Sequence, residues 1–262
     1  MDMDLTGRHA LVCGASQGIG SACAIELAAL GANVTALARR SEVLKQLITV
    51  LPRIHPTQTH DFLAADGGDT ANLVAVVEKL AARKPVHILV NNSGGPPPGP
   101  VHGARVDAFL DAYRKHLVAN HVLTETVVPG MRTAGYGRIV NIISTSVKEP
   151  IAGIGVSNTT RGAVASWAKT LATELAPLGI TVNNVLPGST KTPRIEQIVR
   201  ARAEKSGRSN DDTRHAMASE IPLRRFADPA EIAAAVAFLC SPAAAYITGI
   251  NLPVDGGRTR SL

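Results

Sequence analysis

The chain has 262 residues, 45% hydrophobic, 18% charged and 3% aromatic, which is enough apolar material for a full core and too much for disorder. Three cysteines, Cys13, Cys23 and Cys240, form no CxxC pair, so neither a disulfide framework nor a cysteine zinc site is expected. The formal charge of +6 leaves a polyanionic partner open, while the acidic start Met1-Asp2-Met3-Asp4 lacks the positive charge of a leader, making cytoplasm the expected address.

Residues 9–12 form the first short apolar run that reads as a buried parallel strand. It runs into Cys13-Gly14-Ala15-Ser16-Gln17-Gly18-Ile19-Gly20 and a helix over 19–30. Glycines permit a tight turn and a close backbone approach, and a helix start offers unpaired N–H groups and a positive dipole end, so this turn is a candidate pyrophosphate site. A second strand, 33–38, ends at Arg39-Arg40, where no carboxylate is available to bind ribose hydroxyls. Two guanidinium forks there suit a ribose 2′-phosphate and favour NADP(H) over NAD(H).

Helices are expected at 42–51 and 72–82, then a strand at 87–90 followed by Asn91-Asn92-Ser93-Gly94. Residues 94–100, Gly-Gly-Pro-Pro-Pro-Gly-Pro, must be an irregular loop. One long helix is expected over 107–131, a strand at 138–143 ending beside Ser144, a helix at 162–176 and a strand at 181–186 before Pro187-Gly188. Between Lys191 and Arg225 stand nine Lys or Arg against five acids, either a solvated helical lid or a lure for an acidic substrate or a phosphate-bearing carrier. The uncharged stretch 232–254 contains Pro242, Gly249 and Pro253 and reads as a buried helix, a turn and a strand rather than a membrane span.

This βαβα rhythm implies one α/β domain over 1–262, a Rossmann-type doubly wound parallel sheet of about seven strands with helices on both faces and a lid at about 189–225. Ligands of such sheets sit beyond the carboxyl ends of the strands, where the loops above lie. The eight histidines show no paired ligand spacing with acids, so no metal is expected. No GxSxG elbow supports a hydrolase, and few aromatics and no motif support nucleic-acid binding.

The spacing Gly14, Gly18, Gly20 together with Asn91-Asn92-Ser93-Gly94 resembles the short-chain dehydrogenase/reductase family, with its TGxxxGxG turn and NNAG segment. Pro187-Gly188 with Thr192 is similar to its PGxxxT segment, and Tyr246 through Gly257 to its C-terminal strand region. A particular resemblance is to the branch grouped with 3-oxoacyl-carrier-protein reductases, which includes the loop at residues 94–100. The resemblance implies cofactor contacts from Gly14, Ser16, Gln17, Gly18, Ile19, Gly20, Arg39, Arg40, Asp66, Asn92, Gly94, Arg161, Pro187, Gly188 and Thr192. It also implies a small-molecule or acyl-thioester substrate and a homotetramer, or a homodimer.

At the catalytic end the likeness breaks. The family works with Asn, Ser, Tyr and Lys. Ser144 keeps the serine, but the tyrosine position falls on Ser157, the lysine on Arg161 and the asparagine on His116, so YxxxK reads SxxxR. Carbonyl reduction needs a proton for the oxygen, and a positioned acid is typically worth about 10²- to 10⁴-fold in rate. Candidate sources are Lys148, His116 or a water relayed by Ser157, with Ser144 orienting the oxygen and Arg161 holding the cofactor ribose. A protein that binds NAD(P) without turnover, as a sensor or partner subunit, is the alternative.

Overall fold

A computed structural model describes residues 1–261. Among them seven strands form one parallel sheet in the order β3-β2-β1-β4-β5-β6-β7: β1 His9–Cys13, β2 Asn33–Ala38, β3 His60–Ala64, β4 Ile88–Asn91, β5 Gly137–Ile142, β6 Ile180–Pro187 and β7 Asn251–Val254. The helices are α1 Gly18–Ala29, α2 Ser41–Val50, α3 Thr70–Arg83, α4 Val106–Tyr113, α5 Ala119–Ala134, α6 Gly155–Leu175, α7 Pro193–Ser206, α8 Asn210–Ser219 and α9 Pro229–Cys240.

Strands β1, β4, β5 and nearly all of β6 are buried on both faces, which is why they read as mainly apolar and β-branched runs, with buried asparagines the main exception in β4–β6. One face packs on α1 and α9 through residues such as Leu27, Val236 and Leu239; the other packs on α3, α5 and α6 through Leu73, Leu123 and Ala168. Strand order reverses between β1 and β4, opening a crevice at their carboxyl ends.

Register on one half of the sheet is set by four asparagines. Asn91, Asn141, Asn184 and Asn251 are direct neighbours across β4, β5, β6 and β7, and their side-chain amides donate in series, Asn91 to Asn141 (2.9 Å), Asn141 to Asn184 (2.9 Å) and Asn184 to Asn251 (2.8 Å). A one-residue slip would break every link and leave buried amides unpaired.

Three elements differ from the sequence expectation. β3 carries His60 and Asp61 and lies half-exposed at the sheet edge, so it lacks the apolar run of a central strand. The helix expected over 107–131 is interrupted by a π-helical turn at Arg114–Val118, whose extra residue per turn rotates His116 into the interior. α6 starts at Gly155 instead of 162, because its glycine-, serine- and threonine-rich first turns are held by tertiary burial of Val156, Ser157, Thr160 and Arg161 rather than by propensity.

Residues 189–227 leave and rejoin the body at one point. Thr190 pairs with Ala227, and the Lys191 and Ala227 amides donate to Ala227 and Ser189 carbonyls. The segment encloses a small core of its own, Ile195, Val199, Met217, Ile221 and Phe226.

Candidate cofactor and active site

The crevice at the β1/β4 switch is a cavity of about 800 Å³. Its floor is the glycine turn. Gly14 and Gly18 hold left-handed backbone (φ 62° and 59°), and a Cβ on Gly14 would lie 2.6 Å from the Asn92 side-chain nitrogen. Asn92 closes the switch point by donating to the Cys13 and Gly14 carbonyls at 3.3 and 3.5 Å. Gln17 precedes α1 in extended conformation without a side-chain cap, so the first amides of α1 keep open donors beside the turn.

Of the fifteen residues expected around a cofactor, fourteen line this cavity: Gly14, Ser16, Gln17, Gly18, Ile19, Arg39, Arg40, Asp66, Asn92, Gly94, Arg161, Pro187, Gly188 and Thr192. Gly20 does not. It sits beneath the turn, where its Cα passes so close to Gly14 that a Cβ would lie 2.3 Å from the Gly14 carbonyl oxygen. Its need is packing rather than contact.

The two arginines ending β2 divide. Arg40 donates to the Gln17 side-chain oxygen at 2.6 Å and to Ser16 Oγ at 3.1 Å, tying β2 to the glycine turn. Arg39 stays 76% exposed and reaches only a loose 3.9 Å ion pair with Asp66, leaving its guanidinium available at the cavity rim.

At the other end of the same cavity stand Ser144, Ser157, Arg161 and His116. Ser144 caps the short 3₁₀ turn Thr145–Val147, accepting from the Ser146 amide at 3.1 Å. Ser157 and Arg161, one helical turn apart on α6, are both buried. Arg161 donates to the Ile142 carbonyl at 2.9 Å and to the Ser93 carbonyl at 3.5 Å. Burial, then the nearby charge of Arg194, lowers its pKa to about 10, so it remains a cation at neutral pH.

His116 and Ser93 share a hydrogen bond of 2.6 Å between Nδ1 and Oγ. Nothing in the sequence singles out Ser93; its partner His116 lies within the π-helical turn Arg114–Val118. Burial, then Arg161, then Lys115 push the His116 pKa down to about 2. The ring is therefore held neutral near neutral pH, a state in which it can orient Ser93 through their shared hydrogen bond. Lys148 lies on the turn after the 3₁₀ segment and, unlike the other four, does not line this cavity.

Sequence reasoning missed Arg194. Thr192 and Pro193 begin α7, and the next side chain crosses to the proline-rich loop, donating to the Pro96 carbonyl at 2.7 Å over Gly95. This contact joins the 189–227 segment to the loop after β4 above the cavity.

Residues 14–259 match the family model described as Enoyl-(Acyl carrier protein) reductase. The NADPH-dependent reductase BacG of Bacillus subtilis is 30% identical over 98% of this chain and 100% of its own length. The 3-oxoacyl-[acyl-carrier-protein] reductase FabG of Vibrio cholerae is 35% identical over 97% of this chain and 98% of its own. The solved structure of L-sorbose reductase from Gluconobacter frateurii, complexed with NADPH and L-sorbose, superposes with a TM-score of 0.91 at 31% identity and full coverage of both chains.

The chain belongs to the short-chain dehydrogenase/reductase family. It is an oxidoreductase. Residues 93, 116, 157 and 161 lie together: Ser93 bonds to His116 and, through its carbonyl, to Arg161, one turn from Ser157.

Proposed function

We propose that this short-chain dehydrogenase/reductase uses NADP(H) to reduce a carbonyl, or to oxidise the matching alcohol, in a substrate such as a 3-oxoacyl thioester, through an atypical SxxxR site. The observation that carries this reading is the unbroken cavity from Arg39 and the glycine turn to Ser144, Ser157 and Arg161. The crowding a Cβ would meet at Gly14 fits a backbone that lets a pyrophosphate approach closely, and the relatives named for NADPH support the same choice. NAD(H) would bind in the same cleft without the phosphate contact of Arg39.

Bound there, the cofactor supplies the hydride. Ser144 donates to the substrate oxygen and orients it. Arg161, buried without a carboxylate partner among the described residues, holds the cofactor ribose and stabilises negative charge developing beside it. A water held by Ser157 gives its proton to the oxygen as hydride reaches carbon, and the hydroxide left behind is neutralised from bulk solvent. Because no group of near-neutral pKa takes the tyrosine's part, turnover falls below that of a complete tetrad by up to about 10²- to 10⁴-fold.

The chain acts as one domain with residues 189–225 as a lid latched by Arg194. Exposed Val106, Leu110 and Val118 support assembly into a homotetramer.

The test is a panel of ketones and 3-oxoacyl thioesters with NADPH, followed at the reduced-nicotinamide absorbance. Slow oxidation is expected, faster in the Ser157→Tyr/Arg161→Lys double variant. Tight NADPH binding with no oxidation by either protein would select the non-catalytic alternative.

A further inference from the structure

Beyond Ser144 the main cavity opens into a second one of about 540 Å³. The two share Ser144, Ile154, Pro187, Gly188, Ile195 and Ile198, so the second begins where the reacting carbon would stand. One face of α7 forms its wall. Ile195, Ile198, Arg202 and Lys205 follow at steps of three, four and three residues, which places all four in a row along the helix. The inner half of that row is apolar and the outer half cationic, with Arg202 about 6 Å and Lys205 about 10 Å along the axis from Ile198 at the helical rise.

Opposite them, Arg258 and Glu220 face each other at 3.5 Å and largely cancel. Lys191, Arg214 and Arg225 of the segment pair with Asp228, Glu196 and Glu231, whereas Arg194, Arg200, Arg202, Lys205, Arg208 and Arg224 have no carboxylate within 4.0 Å among the described residues; of these six, only Arg202 and Lys205 line this cavity. Two unpaired cations at the outer end of an apolar channel are not accounted for by a solvated face laced with ion pairs.

We infer that the substrate of this site carries an oxyanion beyond the apolar stretch next to its reacting carbon, and that Arg202 and Lys205 bind it. The inference rests on the reductase reading above and adds the substrate class. A carboxylate at the far end of a free keto acid and the phosphate of a pantetheine arm share this chemistry.

Two pairs of probes separate the sources: 7-oxooctanoate against its methyl ester, and 3-oxooctanoyl pantetheine with and without its 4′-phosphate. Each is titrated calorimetrically into the NADPH-loaded protein, and kcat/KM is measured in parallel. The wild type should prefer the anionic member of at least one pair by about ten-fold or more, the order of a charge-assisted contact. Arg202→Gln/Lys205→Gln should collapse that ratio toward one, and 0.5 M salt, roughly a Debye length of a few ångströms, should shrink it. The pair that shows the preference names the source. No preference in the wild type, or a ratio unmoved by the double variant, overturns the inference. Anion-selective binding without NADPH oxidation would sustain it while removing the reductase reading.

Discussion

Gly20→Ala probes the glycine turn as a phosphate cradle without replacing any residue that lines the cavity. The added methyl would lie 2.3 Å from the Gly14 carbonyl oxygen, 2.7 Å from its carbon and 2.7 Å from Asn92 Nδ2. Two of these neighbours are backbone, so relief requires the turn itself to retreat, by about 0.7 Å to reach even a 3.0 Å contact. Overpacking of this kind costs about 1–3 kcal/mol, which in a chain of this size lowers Tm by roughly 2–10 °C. A hydrogen bond of about 2.9 Å from the turn to a pyrophosphate oxygen would stretch past 3.5 Å and be lost. Bonds to charged groups contribute about 1.5–3 kcal/mol, so NADPH affinity should fall about 10- to 150-fold. Protein fluorescence titrated with NADPH gives the Kd, and differential scanning fluorimetry gives Tm. A variant whose Kd stays within about two-fold of wild type, with Tm lowered as expected, would refute the cradle.

Arg39→Asp should weaken NADPH by about 30-fold or more through loss of a charge-assisted bond and new repulsion, while NADH changes little; equal effects on both nucleotides would contradict the rim assignment. Asn141→Leu leaves the Asn91 amide and the Asn184 oxygen unpaired in the sheet, and a loss of about 2–5 kcal/mol in urea unfolding is expected; a loss under about 1 kcal/mol would show the ladder to be incidental. Acid should destabilise the fold before carboxylates protonate. His9, buried and bonded to Thr35 and Pro85, has its pKa lowered to about 4, chiefly by desolvation, and His116 to about 2. Stability present above about pH 6.5, where both folded and unfolded rings are neutral, is lost as pH falls toward these values, roughly 3 kcal/mol from His9 alone by pH 4. Urea midpoints that do not move between pH 7.5 and 5 would contradict this.

What was legible in the sequence is what periodicity and turn chemistry report locally. The central strands, the glycine turn and the helices flanking them stand within a few residues of their expected places, because strands buried on both faces announce themselves as apolar runs. β3 escaped because an edge strand with one exposed side carries His60 and Asp61. The π-helical turn and the early start of α6 escaped because tertiary burial, not propensity, holds them, and with them went the Ser93–His116 pair. The asparagine ladder was hidden for another reason: four single residues on four strands become neighbours only once register is known. Arg194 looked like one more cation in a basic segment, and only the path of α7 over the proline-rich loop sets it apart.

The central claim is that Arg39, Arg40 and the turn from Gly14 to Gly18 hold a phosphorylated pyridine nucleotide with its reactive end beside Ser144. Isothermal titration of NADPH and NADH into the protein tests it most directly. The account predicts saturable one-to-one binding of NADPH, at least ~10-fold tighter than NADH, as one charge-assisted contact supplies. No heat from either nucleotide, with a folded protein confirmed by its melting transition, would contradict it.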